Sequence, residues 1–355
     1  RAMMYRLFRP FLFLLSPETA HALTLYALRA TQYFPLTLGL LEAIYKSKPK
    51  PVTAFGLTFK NPVGLAAGYD KDALAVKGLG ALGFGHIEVG TVTPMPQSGN
   101  PKPRVFRLVE EEAVINRMGF PSRGSRFVRN QLSPVRKMSL FELVLGRRPV
   151  KSDVVLGINL GKNKSTPNEE AVLDYLSLLE DFAPYADYLT INVSSPNTVG
   201  LRALQGRAAL ERLLTQLHAQ RKMEEAKLDK KLPLLVKLAP DLTPSELDDA
   251  LDVILQTRMD GVIATNTTLA REGLRSNRQG ESGGLSGGPL TVRSEAVLRQ
   301  VVKSVNGKIP IVSAGGIMSP ADAKRRLEMG AALVQVYTGL VYRGPGLVKQ
   351  ILKSL

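Results

Sequence analysis

Cysteine is absent from this chain of 355 residues. That absence excludes disulfides, thiolate metal sites and any cysteine nucleophile or base. Histidine is scarce: His21, His86 and His218 lie far apart in sequence, which argues against a zinc site or a serine–histidine triad. Tryptophan is missing too, and no Lys/Arg-rich run interleaves with aromatics. A dedicated nucleic-acid module is therefore not expected. Repeats and low-complexity tracts are lacking, which removes solenoids and disordered scaffolds. In the apolar N-terminal region the longest uncharged stretch, residues 30–41, runs for twelve residues, short of the roughly 20 that a spanning helix needs. Among enzyme chemistries, these gaps leave a bound organic cofactor as the leading candidate.

What is present is a large apolar fraction, 44% of residues, enough to bury a substantial core in one large domain or two ordinary ones. The formal net charge is +16, from 47 basic and 31 acidic side chains. Such a balance favours anionic partners: phosphorylated or carboxylate ligands, nucleic acid, or an anionic membrane face. A solubilising basic surface accounts for it equally well.

Residues 1–50 differ from the rest. Leu, Phe, Tyr and Ala dominate, with Arg6, Arg9 and Arg29 interspersed, and the pattern predicts two or three short helices. Ser16-Pro17-Glu18 reads as a helix start, with Ser16 as cap and Pro17 in the first turn. Arg9 ahead of Phe11-Leu12-Phe13-Leu14-Leu15, with Ala20-His21-Ala22 beyond, has the outline of a secretory signal. The apolar core is short for that, however, and Pro17-Glu18 interrupts it. Amphipathic helices lying in a membrane interface are the better expectation.

After the segment 46–51 the rhythm changes to short apolar strands alternating with amphipathic helices. Strands are predicted at 63–68, 86–91, 154–160, 188–193, 234–238, 261–265, 309–314 and 333–337, and helices at 168–182, 244–256, 292–305 and 320–329. Such alternation demands a parallel sheet. Eight units over about 300 residues predict an α/β fold, a closed (β/α)8 TIM barrel over residues 51–355 with a small N-terminal helical extension. An open doubly wound sheet is the alternative, although no glycine-rich dinucleotide fingerprint follows the first strand. One connection, residues 94–152, is overlong at about 60 residues, and inserts of that length are usually functional.

Polar and glycine motifs stand at the end of every predicted strand, which in a barrel is one face. They include Ala66-Ala67-Gly68-Tyr69-Asp70-Lys71, Gly90-Thr91, Asn159-Leu160-Gly161, Asn192-Val193-Ser194-Ser195-Pro196-Asn197-Thr198, Lys237, Thr265-Asn266-Thr267-Thr268, Ser313-Ala314-Gly315-Gly316 and Tyr337-Thr338-Gly339. The last two, with Gly284-Leu285-Ser286-Gly287, suit a phosphate, because glycines let backbone N–H groups approach an anion. Asn116, Asn159, Asn192 and Asn266 supply donors and acceptors for a planar amide-bearing heterocycle. Lys237 ends an apolar strand, either as a snorkelling surface lysine or as a balance to negative charge on a reduced cofactor ring.

The run 66–71, the loop Thr93-Pro94 through Asn100-Pro101-Lys102-Pro103-Arg104, Asn116-Arg117-Met118-Gly119-Phe120, the run 192–198 and Lys237-Leu238-Ala239-Pro240-Asp241 resemble the dihydroorotate dehydrogenases. The resemblance covers nearly the whole chain and is closest to the membrane-associated, quinone-dependent class. It implies FMN against Ala66, Ala67, Gly68, Thr91, Asn159, Asn192, Lys237, Thr265, Gly287, Gly316, Tyr337 and Thr338. Lys71, Asn116, Gly119, Phe120, Asn192, Asn197, Asn266 and Thr267 would hold dihydroorotate or orotate, with Ser195 as the catalytic base. Because the soluble class resembles this one but uses a cysteine base, the missing cysteine points to the quinone class. In that class residues 1–50 would guide a membrane quinone, with His21 and Arg107 as candidates beside it. The resemblance implies no metal and no nucleic acid. It implies a peripheral enzyme on an anionic membrane surface, at the cytoplasmic face of a bacterial inner membrane or, alternatively, at the mitochondrial inner membrane. Two positions depart from the family pattern: Pro121 follows Gly119-Phe120 where a polar residue is common, and Gly288 follows Ser286-Gly287 where a larger one is common. A different FMN barrel acting on another cyclic imide, or an inactive basic scaffold, are the competing readings.

Overall fold

The computed structural model describes residues 2–136 and 154–355. Thirteen strands are described: β1 Val52–Ala54, β2 Leu57–Phe59, β3 Val63–Leu65, β4 His86–Val92, β5 Val105–Leu108, β6 Ala113–Asn116, β7 Val155–Leu160, β8 Tyr188–Asn192, β9 Leu234–Leu238, β10 Gly261–Ala264, β11 Gly284–Gly287, β12 Ile311–Ala314 and β13 Leu333–Val336. Eight of them (β3, β4, β7, β8, β9, β10, β12 and β13) pair in parallel and close into a barrel through the β13–β3 register Val334↔Val63. These are the eight strands that the sequence predicts. Their residues are buried along nearly their whole length, as a parallel sheet covered on its outer face requires.

The crossover helices begin where the sequence gives them caps. Thr243 and Glu246 form a reciprocal capping box ahead of the helix Pro244–Gln256, and Ser319 caps Pro320–Glu328, each satisfying orphan N–H groups of a first turn. The predicted helix at 168–182 is a short 3-10 turn, Asn168–Glu170, followed by the α-helix Ala171–Phe182.

The hairpin β1–β2, which the sequence reading left as plain chain, plugs the N-terminal end of the barrel. Phe55 and Gly56 turn it at positive φ, and Phe59 packs edge-on to His86 at 5.4 Å. Glycines make room for the large side chains of this layer. A Cβ on Gly64 would fall 2.0 Å from the His86 ring, and one on Gly157 would fall 2.1 Å from Tyr188 Cζ. Burial pushes the His86 imidazole down to about 3, so it is neutral at physiological pH.

The overlong connection is built, in its described part, as secondary structure. Hairpin β5–β6 takes β11 as a third antiparallel strand, and the helix Ser125–Arg136 follows. The residues 284–287, expected as a phosphate loop, are therefore a strand that still borders the barrel mouth. The rest of the expected insert, 137–152, lies outside the described residues.

Three helices precede the barrel: α1 Ala2–Leu14, α2 Pro17–Thr31 and α3 Pro35–Tyr45. Ser16 Oγ accepts the Thr19 N–H at 3.2 Å, which caps α2 as its sequence predicts. Helix α2 anchors through Leu25, and a Cβ on Gly78 would lie 2.3 Å from the Leu28 carbonyl oxygen. Helix α3 buries no residue. Eight of the eighteen exposed large hydrophobics among the described residues fall in these helices and three more in the turns between them, Leu36 at 90% and Leu14 at 84% being the extremes. No described helix is long and apolar enough to cross a membrane.

The tight Gly157–Tyr188 contact yields a stability prediction. Gly157→Ala forces a methyl into a ring with no empty space beside it, and overpacking of this kind costs roughly 1–3 kcal/mol. Denaturant unfolding should show a loss in that range; an unchanged midpoint would refute the packing argument.

Candidate active site

The C-terminal ends of the barrel strands, the sheet β5–β6–β11 and the helices α1–α3 together enclose one cavity of about 500 Å³. Its inner part is polar. Asn192 ends β8 and is held by neighbours on two other strands, β4 and β7, and in the loops after β8 and β10. Its Nδ2 donates to Thr91 Oγ1 and to Asn159 Oδ1, both at 2.9 Å, while its Oδ1 accepts from Ser194 Oγ at 3.1 Å and from Asn266 Nδ2 at 3.3 Å. Asn266 Nδ2 also donates to Ser194 Oγ at 2.9 Å. Across the mouth, Asn197 Nδ2 donates to Asn116 Oδ1 at 3.1 Å. Three strand ends and the inserted sheet thus present asparagine amides whose orientations are set by one another.

Ser195 faces this cavity and is 5% exposed. Its Oγ accepts the Asn197 N–H at 3.2 Å. Among the described residues no carboxylate or imidazole stands within hydrogen-bond distance of it. Thr198, three residues on, has a buried hydroxyl without a partner among the described residues. Arg202, unremarked in the sequence, braces the segment: its guanidinium donates to the Ser194 carbonyl at 3.0 Å, the Thr267 carbonyl at 2.9 Å and Asp241 Oδ2 at 2.8 Å. It ties together the loops after β8, β9 and β10.

Two lysines set the electrostatics. Lys71 Nζ donates to the Gly68 carbonyl at 2.6 Å, and burial, opposed by Asp72, lowers its ammonium to about 8. Lys237 is buried and lines the cavity. Burial lowers it also, with Glu88 acting in the opposite sense. Its ammonium makes no hydrogen bond among the described residues, so the snorkelling reading is set aside.

The outer part of the cavity is apolar and lies between the helices. Phe13, Leu28, Leu41 and Val341 line it, with His21 and Arg107 among them. His21 stacks on Tyr69 at 4.8 Å. Burial, with a smaller contribution from Lys71, pushes its imidazole down to about 4, and its Nε2 has no partner among the described residues. Arg107 lies over the Phe13 ring at 4.5 Å and donates to the carbonyls of Leu12 and Leu15, which fixes the end of α1 to β5.

Of the residues singled out from sequence, Ala66, Ala67, Gly68, Lys71, Thr91, Asn116, Gly119, Phe120, Asn192, Ser195, Asn197, Lys237, Thr265, Asn266, Thr267, Gly287, Gly316, Tyr337 and Thr338 all line this cavity, as do His21 and Arg107. Asn159 does not. It stands behind the wall, accepting from Thr91 Oγ1 at 2.6 Å and donating to the buried Glu88 at 2.8 Å. Glu88 itself was missed, although a lone carboxylate in the apolar strand His86–Val92 was a readable signal. The two departures have a structural context. Pro121 follows Phe120, whose carbonyl accepts from Gln97 Nε2 at 2.8 Å, and needs no N–H of its own there. At Gly288 a Cβ would lie 2.9 Å from the Glu111 carbonyl oxygen, which favours the small residue.

A family model for dihydroorotate dehydrogenase matches residues 51–355. The chain belongs to the dihydroorotate dehydrogenase family. Among curated relatives, the dihydroorotate dehydrogenase (quinone) of Idiomarina loihiensis is 47% identical over 99% of this chain and 100% of its own length. That of Acidithiobacillus ferrooxidans is 49% identical, over 99% and 94%. The dihydroorotate dehydrogenase of Eimeria tenella, solved in complex with ferulenol, superposes with a TM-score of 0.84 at 41% identity, covering 95% of this chain and 90% of that one. The family is FMN-dependent. The cavity fits that cofactor on two observations: the buried Lys237 ammonium has no hydrogen-bond partner among the described residues, and Gly315 and Gly316, which line the same cavity, turn at φ +97 and +72, a backbone that a side chain would oppose.

Proposed function

We propose that this chain oxidises dihydroorotate to orotate in pyrimidine biosynthesis, with FMN in the inner cavity and a membrane quinone as electron acceptor. The observation that carries the reading is a single cavity joining a polar, asparagine-lined barrel mouth to an apolar passage between surface helices. FMN, when bound, would supply the redox chemistry, a two-electron acceptor for the hydride lost from C6 of the substrate that a quinone can reoxidise.

The remaining work falls to the chain. Gly287, Gly316, Tyr337 and Thr338 would hold the cofactor phosphate, and Ala66, Ala67, Gly68, Thr91, Thr265 and Lys237 its ring system, with Asn192 between ring and substrate. Lys71 would take the substrate carboxylate. Asn116, Asn197, Asn266 and Thr267, with Gly119 and Phe120, would hold the pyrimidine ring by its amide edges, where donors and acceptors alternate. Ser195 removes the proton from C5. A serine is a poor base unaided, so its own proton must leave as it acts, to water or to a neighbouring hydroxyl. Thr198, buried and without a hydrogen-bond partner among the described residues, carries a hydroxyl in the same loop. Asn159 serves from behind, by holding Thr91 and Asn192.

Residues 1–50 form the quinone-access region and 51–355 the FMN barrel, with 94–152 as the wall over the substrate. Helices α1–α3 expose apolar side chains with Arg6, Arg9 and Arg29 among them, which suits a peripheral seat on an anionic membrane surface. The cytoplasmic face of a bacterial inner membrane is the location this reading favours.

Three outcomes test it. Ser195→Ala should slow anaerobic flavin reduction by dihydroorotate roughly 10²–10⁴-fold, the usual worth of a positioned base, while FMN stays bound; an undiminished rate excludes Ser195 as the base. Deleting residues 1–45 should cost quinone reduction far more than flavin reduction, and equal losses would sink the passage. Lys71 is charged below about 8 and neutral above it. Orotate affinity, read from the flavin spectrum, should therefore hold steady below that pH and fall as pH rises through it. Lys71→Met should abolish this pH dependence.

A further inference from the structure

Across the eight barrel strands there is one carboxylate, Glu88, and one ammonium, Lys237. Glu88 is 0% exposed and Lys237 5%. An isolated charge in such surroundings is costly unless another group compensates it. We infer that Glu88, from beneath the site, is a positioning residue that keeps Lys237 protonated beside the flavin. The inference rests on the reading of the cavity as an FMN site.

The geometry ties Glu88 to the site and makes it an acceptor throughout. Its Oε1 accepts from Asn159 Nδ2 at 2.8 Å. Its Oε2 accepts from Gln335 Nε2 at 2.9 Å, Tyr188 OH at 3.1 Å and Thr190 Oγ1 at 3.2 Å. With its NH2 committed to Glu88, Asn159 turns its oxygen toward Thr91 and Asn192, and Asn192 in turn offers its own oxygen to Ser194 and Asn266. The carboxylate thus sets the sense of a hydrogen-bond relay that reaches the cavity wall.

Lys237 has no comparable company. The residues in register with it on β8 and β10, Asn192 and Ile263, carry no charge. Tyr188 already donates to Glu88, and His86 is buried and neutral. Lys71, in the same cavity, is itself a cation. Burial pulls the Lys237 ammonium down, and Glu88 is the group whose field opposes that pull.

Glu88→Gln isolates the charge. Glutamine keeps the shape, the Tyr188 and Thr190 hydroxyls can accept as well as donate, and Gln335 has a buried Oε1, without a partner among the described residues, with which to receive an N–H. The hydrogen bonds can be remade and the charge cannot. The measurement is the midpoint potential of the FMN-loaded protein as a function of pH. In the parent Lys237 keeps its proton in both oxidation states. In Glu88→Gln it gives the proton up while the flavin is oxidised and takes it back on reduction, so two electrons bring in one more proton. The potential should then fall more steeply with pH, by about 30 mV per pH unit for a two-electron couple. Adding Lys237→Met to Glu88→Gln should restore the shallower slope. Lines parallel to the parent, displaced or coincident, overturn the inference. Should Glu88→Gln fail to fold or to hold FMN, the double variant decides: recovered thermal stability on removing the ammonium supports the pairing, and no recovery overturns it. A parent protein that is not bleached by dihydroorotate would fail the flavin reading itself and this inference with it, a result distinct from any change of slope.

Discussion

The pairing of β13 with β3 closes the ring, and the chemistry of the molecule depends on that closure. Eight parallel strands held in one ring deliver eight C-terminal ends to a single rim, so residues far apart in sequence, such as Thr91, Asn192, Lys237 and Tyr337, face one space. Closure also removes both edges of this eight-stranded sheet, so its backbone has no unpaired edge left to offer. Its cost is an interior that must be filled. The hairpin β1–β2 and the layer of His86, Tyr188 and Phe59 fill the lower end with rings and with the glycines that admit them. The upper end is where the polar residues could be spent on function.

Two incompatible solvents meet in the cavity above that rim. A hydride transfer needs water excluded and amides oriented in advance, whereas a quinone needs an apolar path from a membrane. On the proposed reading both needs are met in one cavity, whose apolar part lies between α1–α3 and the barrel mouth with a few polar groups at its boundary. Arg107 is anchored to carbonyls of α1 and covered by the Phe13 ring. His21 is kept neutral by burial against Tyr69. Glu18 on α2 pairs with Arg104 of the inserted segment at 3.1 Å, and the partly buried setting of that pair makes it a clamp between helices and substrate wall rather than a surface ornament.

The barrel was legible because its signals are local: eight apolar runs of strand length, separated by capped helices such as the one that begins at Thr243-Pro244. The site was legible for a related reason, since each strand ends on a residue whose polarity the strand itself does not need. What escaped was whatever depends on long-range pairing. Strand β11 reads as a glycine turn until β6 pairs with it, and the hairpin β1–β2 is too short for its alternation to register. Asn159 reads as one more cavity asparagine, although the barrel's curvature turns it inward to Glu88. Arg202 carries no signal in the sequence, and only the convergence of three loops gives its guanidinium three acceptors.

The residues gathered here share an electrostatic logic that the net charge of +16 only hinted at. Lys71, Lys237 and Arg107 all border one cavity, and burial lowers each of them. A protein that buries cations without giving each a carboxylate gains nothing in stability by it. The arrangement makes sense if negative charge arrives with the reactants: a phosphate, a carboxylate and then a pair of electrons. On the proposed reading the carboxylate relieves Lys71 and the electrons relieve Lys237, so binding and reduction draw on a desolvation cost that the folded chain already carries. Glu88 fits the same logic from the opposite side. As the lone carboxylate of the barrel strands, it opposes the burial that lowers Lys237, while its place beneath the rim leaves the cavity itself positive for what enters.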